Sequence, residues 1–500
     1  MNLTLLKNGH LVDGSGADAL VGNLLIENGR IAAVGVFEAP AECEAIDCAG
    51  CVIAPGFVDL HSHSDLQVLE DRVEKANQGV TTEVVGNCGF SPYPGSGHAQ
   101  ALRDFANGIF CGHSAWEFQN AKDYFAQVEK SSTVVEVQSL AGHGSLRVGL
   151  FGNRQDALTG AELDRMTGTL DEILAAGSCG FSTGLMYAPG SGAPFEEIEA
   201  LCRVVAKRDR LYATHMRSYS FGLLEAIDEQ IELVRRTGCR LQISHLQTVG
   251  RANWDKQRLA LDRLEAARRE GIDVEFDIYP YQAGSSVLTQ LLPQWALDGG
   301  TAAMLARLAD AGERARMTEH MRSNVAQSWS DILITSVKSP GNRHLIGRRL
   351  ASIAEERGRD PIDATMDLIA EENGAVNMIS FNQSEDNLRE LLTHEMCSVI
   401  SDGFYVDGKP HPRLYGTFPT LMGEVARDRK WMTVEEAVLK VTSKPLARLR
   451  ISDRGFLRPG LIANVTVFDP ATISGPADYD VPDRAPVGIR HVFLHGRVLA

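Results

Sequence analysis

Histidines stand at the ends of several apolar runs in this sequence. His61 and His63 are two residues apart in DLHSH, and side chains at i and i+2 of a strand point to the same side. Single histidines also end two later runs, His215 in YATHMRS and His245 in LQISHLQ. The first pair alone is equally compatible with polar turn residues, but four imidazoles at strand ends are hard to explain by packing. Because imidazole is a common zinc ligand, the spacing predicts a metal site.

Two further candidate ligands follow other apolar runs. Cys88 stands in VVGNCGFS and Asp402 stands in VISDG, which adds a thiol and a carboxylate to the four histidines. A thiolate is a strong zinc ligand, although a single cysteine is by default a small buried hydrophobic residue. Together the histidines, the cysteine and the aspartate come from five separate runs, and this combination of donor atoms is suited to zinc.

Eight apolar runs alternate with segments whose apolar residues have helical spacing. The predicted strands are GFVDLHSH (56–63), TTEVVGNCG (81–89), TVVEVQSLAGHG (133–144), CGFSTGL (179–185), LYATHMRS (211–218), LQISHLQ (241–247), DVEFDIYPY (273–281) and CSVISDG (397–403). This alternation predicts an α/β fold in which eight parallel strands close into a (β/α)8 TIM-like barrel. The candidate ligands fall at the carboxyl ends of these strands, where such barrels carry their chemistry.

The chain ends do not follow the barrel pattern. Residues 1–55 and 448–500 contain short strands separated by turns, so we predict that both termini combine into one small β-sandwich domain. The barrel with its predicted metal site would then occupy residues 56–447. The segment from about 284 to 396 is too long for a simple loop, and we predict an insertion with its own helices, placed to cover the active site.

Composition limits the function classes. The chain has 500 residues, 44% hydrophobic content and a formal net charge of −16, without a stripe or tail of Lys and Arg, which argues against nucleic acid as a partner. No window reaches the roughly 18 uninterrupted apolar residues of a membrane span. Nine cysteines and no secretory signal pattern make a disulfide framework improbable and predict a cytoplasmic protein. No pattern in the sequence sets the oligomeric state.

Longer motifs carry a resemblance to a known family. PGFVDLHSHSD, the separate His215 and His245, the late Asp402 and the split β-domain resemble the amidohydrolase superfamily. GNCGFSP, GHGSLR, GFSTGLMYAPG, YPYQAGSSVL and SDG followed by HPRLYGTFP resemble, over nearly the whole chain, the N-acyl-D-amino-acid deacylases (D-aminoacylases). Many amidohydrolases bridge their metals with a lysine on the third or fourth strand. Those two strands contain no lysine here, and in the resembled family a cysteine at the position of Cys88 takes that role.

The resemblance implies zinc-dependent hydrolysis of a linear amide bond in N-acyl-D-amino acids. A metal-activated water would cleave the bond to a carboxylate and a free D-amino acid, with Asp402 as the general acid and base. The resemblance also divides the ligands between one tightly bound zinc and a second, weaker or empty site. The first set is Cys88, His215 and His245, and the second is His61, His63 and Asp402.

The resemblance also implies how the small-molecule substrate is held. Arg413 in HPR would pair with the substrate carboxylate, because a planar guanidinium suits that task, with help from Tyr281 and Ser286. The family often has a lysine two residues after the second single histidine, where this sequence has Gln247. A neutral amide donates a hydrogen bond without supplying charge, so the acid-binding pocket is expected to differ.

Two more residues, Tyr187 and His143, stand in family-like motifs near strand ends, where a structural role is as plausible as contact with substrate. Tyr187 is a candidate for polarising the substrate carbonyl. Two rival functions remain open at this stage: another amidohydrolase reaction, such as cyclic-amide or dipeptide hydrolysis, and an inactive barrel that serves as a scaffold. The D preference comes from the resemblance alone.

Overall fold

A strand-rich unit opens the chain in the computed structural model, which describes residues 3–38, 40, 43–70, 72–110, 116–131 and 134–499. In the second strand, buried and less buried positions alternate, and the buried Leu24 and Ile26 pack with Ile31, as expected for a sheet with one covered face. The first five strands are β1 (Leu3–Leu11), β2 (Leu20–Glu27), β3 (Arg30–Gly35), β4 (Glu44–Asp47) and β5 (Val52–Pro55).

Seven parallel strands follow, and each pairs with its neighbours in chain order. All six residues of the strand that begins at Val80 are buried, because parallel barrel strands are covered by helices outside and by packed side chains inside. The strands are β6 (Phe57–Asp59), β7 (Val80–Val85), β8 (Glu136–Gly142), β9 (Gly180–Gly184), β10 (Leu211–His215), β11 (Arg240–Ile243) and β12 (Val274–Ile278).

Helices connect these strands and form the outer layer. In the helix that ends at Thr237, the buried Leu223, Ile227 and Val234 lie on one face, and Gly238 ends the helix with a left-handed φ of 72°. The helices are α1 (Ala99–Phe105), α2 (Ala121–Lys130), α3 (His143–Phe151), α4 (Gly160–Ala175), α5 (Phe195–Lys207), α6 (Leu223–Thr237) and α7 (Lys256–Arg269).

The segment between the seventh and eighth barrel strands forms a layer of its own. Its three antiparallel strands lie in the order β13 (Ala283–Val287), β15 (Asn377–Phe381), β14 (Ile332–Ser336). A separate apolar core, which includes Leu288, Met317 and Ile334, joins this sheet to its helices. The helices of this layer are α8 (Thr301–Ala309), α9 (Ala311–Asn324), α10 (Leu350–Glu356) and α11 (Pro361–Glu371). The following helix, α12 (Glu385–Thr393), packs Leu388, Leu391 and Leu392 into the barrel core.

The eighth barrel strand, β16 (Cys397–Val399), pairs with β12 and brings the barrel to closure. The amide of Asp402 donates to the carbonyl of His61 at 2.8 Å, and the amide of His63 donates to the carbonyl of Gly403 at 3.0 Å. These bonds join the last strand to the first, so the predicted eight-stranded parallel barrel is confirmed. The chain continues through α13 (Arg413–Thr420), a π-helical stretch (Leu421–Asp428), α14 (Val434–Lys440) and α15 (Ser443–Arg448).

The C-terminal strands return to the N-terminal sheet. They are β17 (Val465–Phe468), β18 (Ile489–Leu494) and β19 (Arg497–Val498), and β17 pairs antiparallel with β5. Both chain ends therefore build one β-domain around a shared core that includes Ile53, Val465 and Phe493, as predicted. The domain boundaries at residues 55/56 and 447/448 stay predictions. Within the described ranges, no helix has the length and apolar character needed to cross a lipid bilayer.

Candidate metal centre and active site

The predicted ligands lie together at the carboxyl end of the barrel. Each of them ends or closely follows a barrel strand, and all of them are buried. Because the strands are parallel, their carboxyl ends meet at one mouth, which is why residues far apart in the sequence converge. The six are His61 and His63 after β6, Cys88 after β7, His215 at the end of β10, His245 after β11 and Asp402 after β16.

A first group of donor atoms surrounds the sulfur of Cys88. Its Sγ lies 3.3 Å from Nε2 of His61 and 3.4 Å from Nε2 of His245, and the three donor atoms lie within 4.8 Å of one another. This spacing suits a single ion bound between a thiolate and two imidazoles. The geometric group contains His61, whereas the resemblance assigns His215 to the ligand set of Cys88.

A second group shares His61. Nε2 of His61 and Nε2 of His63 each lie 3.3 Å from Oδ1 of Asp402. These three donor atoms also lie within 4.8 Å of one another. The two groups are contiguous through His61, so the site has donor atoms for one ion or for two neighbouring ions.

His215 adjoins the first group. Its ring centroid lies 4.6 Å from that of His245, and the residue is only 6% exposed. Neither of its ring nitrogens has a hydrogen-bond partner among the residues that the structure describes. Buried polar groups are nearly always satisfied in proteins, and an ion is one recognised exception. His215 is therefore available as a further ligand.

Protonation at the site also fits a bound cation. Burial lowers the pKa of His245 to about 3 and lowers the pKa of His215 well below its ordinary value, so both imidazoles stay neutral, as metal ligands must be. Burial raises the pKa of the Cys88 thiol, and a bound cation would supply the positive charge that stabilises its thiolate. The donor set of soft sulfur, neutral imidazole and carboxylate fits zinc.

Three of the candidate ligands have strained backbone. Cys88, His245 and Asp402 have φ angles of 53°, 37° and 49°, in the left-handed region that residues with a Cβ rarely adopt. Each such residue costs on the order of 1–3 kcal/mol, and such strain clusters at functional sites. All three lie just beyond the end of a barrel strand, where the chain turns to direct the side chain into the mouth.

Asp277 is a buried carboxylate at the site that is not among the residues predicted from the sequence. It is 1% exposed, and its Oδ1 accepts a 2.6 Å hydrogen bond from the amide of His245, while its Oδ2 accepts from Nε2 of Gln242 at 2.9 Å. Oδ1 also lies 3.6 Å from Nδ1 of His61. Asp277 thus holds the segment that carries one candidate ligand and faces the ring of another. Its signal in the sequence is an aspartate inside the apolar run FDIYPY.

A cavity of about 420 Å³ opens above the metal site. Barrel residues line one part of it, and residues of the insertion line another. The hydroxyl of Tyr187 lies 3.4 Å from that of Ser286, so these two predicted substrate residues come together at the cavity. The predicted residues among the lining are His63, Cys88, Tyr187, His215, His245, Gln247, Ser286 and Asp402.

Arg413 contacts the catalytic candidate Asp402. Its Nη1 lies 2.9 Å from Oδ2 of Asp402, and its guanidinium carbon lies 4.5 Å from the ring centroid of Tyr279. Although burial raises the pKa of Asp402, the charge of Arg413 and the contacts with His61 and His63 outweigh it and hold that pKa well below its usual range. Arg413 is only 1% exposed, so it lies behind Asp402 and Tyr279. Its Nε has no hydrogen-bond partner among the described residues.

The structure does not bring His143 and Tyr281 to the cavity. Nε2 of His143 lies 2.8 Å from Oε1 of Glu197, a buried carboxylate that also accepts from Nη1 of Arg147, so His143 belongs to an internal polar network. The hydroxyl of Tyr281 lies 3.3 Å from Oγ1 of Thr420. Neither His143 nor Tyr281 is among the described residues that line the cavity.

Neighbours of the predicted Tyr281 and Ser286 line the cavity. Tyr279 lines the cavity two residues before Tyr281, and Ser285 lines it beside the predicted Ser286. The hydroxyl of Tyr279 donates to Oε1 of Gln247 at 3.4 Å. Gln247, which stands where the family often has a lysine, therefore contacts a tyrosine of the cavity wall. The motif YPY contains two tyrosines, and the motif alone does not show that Tyr279 rather than Tyr281 lines the cavity, whereas both serines of GSS line it.

Comparisons with known proteins agree with this geometry. A family model described as the amidohydrolase family matches residues 44–500. The chain belongs to the amidohydrolase family. The N-acyl-D-glutamate deacylase of Alcaligenes xylosoxydans xylosoxydans is 34% identical to this amidohydrolase over 498 residues, covering 98% of this chain and 92% of the relative. The D-aminoacylase of the same organism is 33% identical over 494 residues, covering 98% and 93% of the two chains.

A solved structure shows the same architecture. The crystal structure of N-acyl-D-glutamate deacylase from Bordetella bronchiseptica is 35% identical to this amidohydrolase, with a TM-score of 0.84 over 99% of this chain and 96% of that one. That protein was crystallised with zinc and a phosphonate inhibitor that mimics the tetrahedral intermediate of its reaction. These similarities confirm the resemblance to the N-acyl-D-amino-acid deacylases.

Proposed function

We propose that this amidohydrolase hydrolyses the amide bond of N-acyl-D-amino acids and releases a carboxylic acid and a free D-amino acid. One observation carries the proposal: sulfur, imidazole and carboxylate donors converge at the base of a cavity whose neighbouring side chains include a buried arginine. The relatives are named for deacylation of N-acyl-D-glutamate and for D-aminoacylase activity, and these names support both the reaction and the D preference.

We propose zinc as the cofactor, because it is named in the related crystal structure and because the donor set suits it. When bound, zinc supplies a Lewis acid that lowers the pKa of a coordinated water toward about 7. The proposed division of ligands is a tight site of Cys88, His215 and His245 and a weaker site of His61, His63 and Asp402. Because Cys88 contacts both His61 and His245, His61 is also placed to bind the ion of the tight site.

Asp402 is proposed to carry the proton. Its carboxylate borders the cavity and lies between the two histidines of the second group and Arg413. From this position it accepts the proton that the attacking water loses and returns it to the nitrogen of the leaving amine. The products then balance: the acyl carbon gains the water oxygen, and the amine nitrogen gains the proton.

Arg413 and its neighbours are proposed to hold the substrate. The resemblance assigns the substrate carboxylate to Arg413, which lies behind the cavity wall and whose Nε has no hydrogen-bond partner among the described residues. Tyr279 packs against the guanidinium and shares the cavity wall with Ser285 and Ser286. The hydroxyl of Tyr187 is placed on the same wall, where it can donate to the substrate carbonyl oxygen as charge develops there.

The test compares substrates that the competing functions would use. Zinc-loaded enzyme is assayed for free amine release from N-acetyl-D-leucine, N-acetyl-L-leucine and a dipeptide, and for opening of a hydantoin ring. We expect turnover of the D compound well above the L compound and the two rival substrates. Preference for the hydantoin or the dipeptide would assign a different amidohydrolase reaction, and a zinc-loaded protein without any turnover would favour the scaffold.

We also propose that the enzyme acts in the cytoplasm. Eight of the nine cysteines are free thiols in the structure, which is typical of a reducing compartment, while Cys111 lies outside the described residues. Fractionation of native cells with an antibody against the enzyme tests this location. Recovery in an exported fraction would contradict it.

A further inference from the structure

The insertion contributes an apolar wall to the cavity. All six residues from Gln290 to Trp295, QLLPQW, line it. Leu291 and Leu292 are 6% and 3% exposed, and Trp295 is half-buried against the core of the insertion. Met378, from strand β15, lines the cavity as well. We call Leu291, Leu292, Trp295 and Met378 the insertion wall.

Positive charge is scarce on the cavity surface. Among the described residues that line the cavity, Arg217 is the one arginine and there is no lysine. Its Nε donates to Glu229 at 2.8 Å, and its Nη1 and Nη2 donate to the carbonyls of Ser191 and Ala193 at 3.0 and 2.7 Å. The residues outside the described ranges include no lysine or arginine. Arg217 is thus already occupied by a carboxylate and two carbonyl groups.

Two other arginines near the cavity, Arg413 and Arg316, add no unpaired positive charge to its surface. Arg413 faces Asp402 from behind the cavity surface and is assigned to the substrate's α-carboxylate by the proposed function. Arg316 stacks on the ring of Trp295, with 4.4 Å from its guanidinium carbon to the ring centroid, but it pairs with Glu313 and does not line the cavity. The lining also includes His320, on α9, which is exposed to solvent. A second carboxylate buried against the insertion wall would therefore meet no unpaired arginine or lysine of the described lining, and such burial is costly.

We infer that the preferred N-acyl amino acid has a large, uncharged side chain, which contacts the insertion wall, with Trp295 as a specificity-determining residue. This inference rests on the proposed function and deepens it. An apolar side chain is transferred from water to an apolar surface there, which is favourable in proportion to the area buried. A glutamate side chain loses hydration without gaining an ion pair. This amidohydrolase is thereby distinguished from its relatives named for N-acyl-D-glutamate.

The experiment measures kcat/KM of the zinc-loaded enzyme for the N-acetyl derivatives of D-leucine, D-phenylalanine, D-glutamine and D-glutamate. We expect the leucine and phenylalanine compounds to exceed the glutamate compound by on the order of 100-fold. Glutamine and glutamate have nearly the same shape, so a higher value for glutamine isolates the effect of charge. Equal or higher kcat/KM for glutamate would overturn the inference and leave the proposed function intact, whereas absence of all four activities would instead overturn the proposed function.

A pair of variants tests the wall directly. Trp295→Arg introduces a cation, and Trp295→Gln is the matched control that removes the same ring without adding charge. We expect Trp295→Arg to raise the glutamate-to-leucine ratio of kcat/KM at least about 10-fold over the ratio in Trp295→Gln. Zinc content and circular dichroism establish that both variants are folded. An equal ratio in two folded variants would exclude contact between Trp295 and the substrate side chain, and the wild-type panel decides the inference if either variant does not fold.

Discussion

A buried lysine next to the metal site gives the prediction that the structure supports in most detail. Lys75 is 3% exposed, forms an ion pair with Asp59, and its Nζ lies 3.6 Å from Oε2 of Glu83. It also donates to Oγ of Ser401 at 2.6 Å. Although burial lowers the pKa of Lys75, the two carboxylates raise it above its ordinary value, so the lysine stays charged. One cation therefore serves two buried carboxylates on neighbouring strands, β6 and β7.

The network holds the backbone that carries Asp402. The amide of Ser401 donates to Oδ1 of Asp59 at 2.9 Å, and the amide of Gly403 donates to Oγ of Ser401 at 3.0 Å. Lys75→Met keeps most of the volume and removes the charge, which leaves Asp59 and Glu83 buried without a cationic partner in this network. Removing one member of a buried ion pair costs about 3–5 kcal/mol. We therefore expect the free energy of unfolding to fall by about that amount.

The assay is guanidinium denaturation of wild-type enzyme, Lys75→Met and the matched control Lys122→Met, which removes an exposed lysine on α2. The control is expected to stay within about 0.5 kcal/mol of the wild type. In the double variant Asp59→Asn/Lys75→Met, the loss of unfolding free energy should be smaller than the sum of the losses in the two single variants, because the two side chains interact directly. A loss below about 1 kcal/mol in Lys75→Met, equal to that of the control, would refute the reasoning.

Three further predictions concern the site itself. Asp402→Asn should keep the zinc of the tight site and lose about 10²- to 10⁴-fold in kcat, because an amide cannot accept the proton; unchanged kcat with that zinc bound would exclude the role. Removing metal with a chelator should abolish turnover, and added zinc should restore it, as followed by metal analysis alongside activity. Tyr279→Phe should raise KM at constant zinc content, whereas Tyr281→Phe should not, because only the first of these two tyrosines lines the cavity.

The barrel and its ligand-bearing ends could be predicted because both depend on local pattern and simple geometry. Strands covered on both faces have nearly continuous apolar sequence, and parallel strands present all their carboxyl ends at one mouth. His61, Cys88 and Asp402 could therefore be placed together from their positions after apolar runs, without any knowledge of distances. The terminal β-domain followed from short alternating strands at both ends of the chain.

Tyr281 and His143, which do not line the cavity, could not be placed from the sequence because their positions depend on side-chain direction and on long-range contacts. Strand β12 ends at Ile278, and the amide of Tyr281 then donates to the carbonyl of Tyr279 at 2.9 Å in a tight turn. This turn breaks the alternation of a strand, so the two tyrosines do not share a face. His143 is held by Glu197, 54 residues away in the chain, and no local pattern indicates that contact.

Backbone strain links the metal to the stability of the barrel mouth. The left-handed residues Cys88, His245 and Asp402 cost about 1–3 kcal/mol each, while a whole protein is stable by only about 5–15 kcal/mol. Hydrogen bonds offset part of this cost, such as those from the amide of His245 to Asp277 and from the amide of Asp402 to His61. An ion that binds only the folded site adds stability in proportion to the logarithm of its concentration over its Kd. Removing zinc should therefore lower the denaturation midpoint of wild-type enzyme and of Lys75→Met alike, because the metal and the lysine stabilise the mouth through separate contacts.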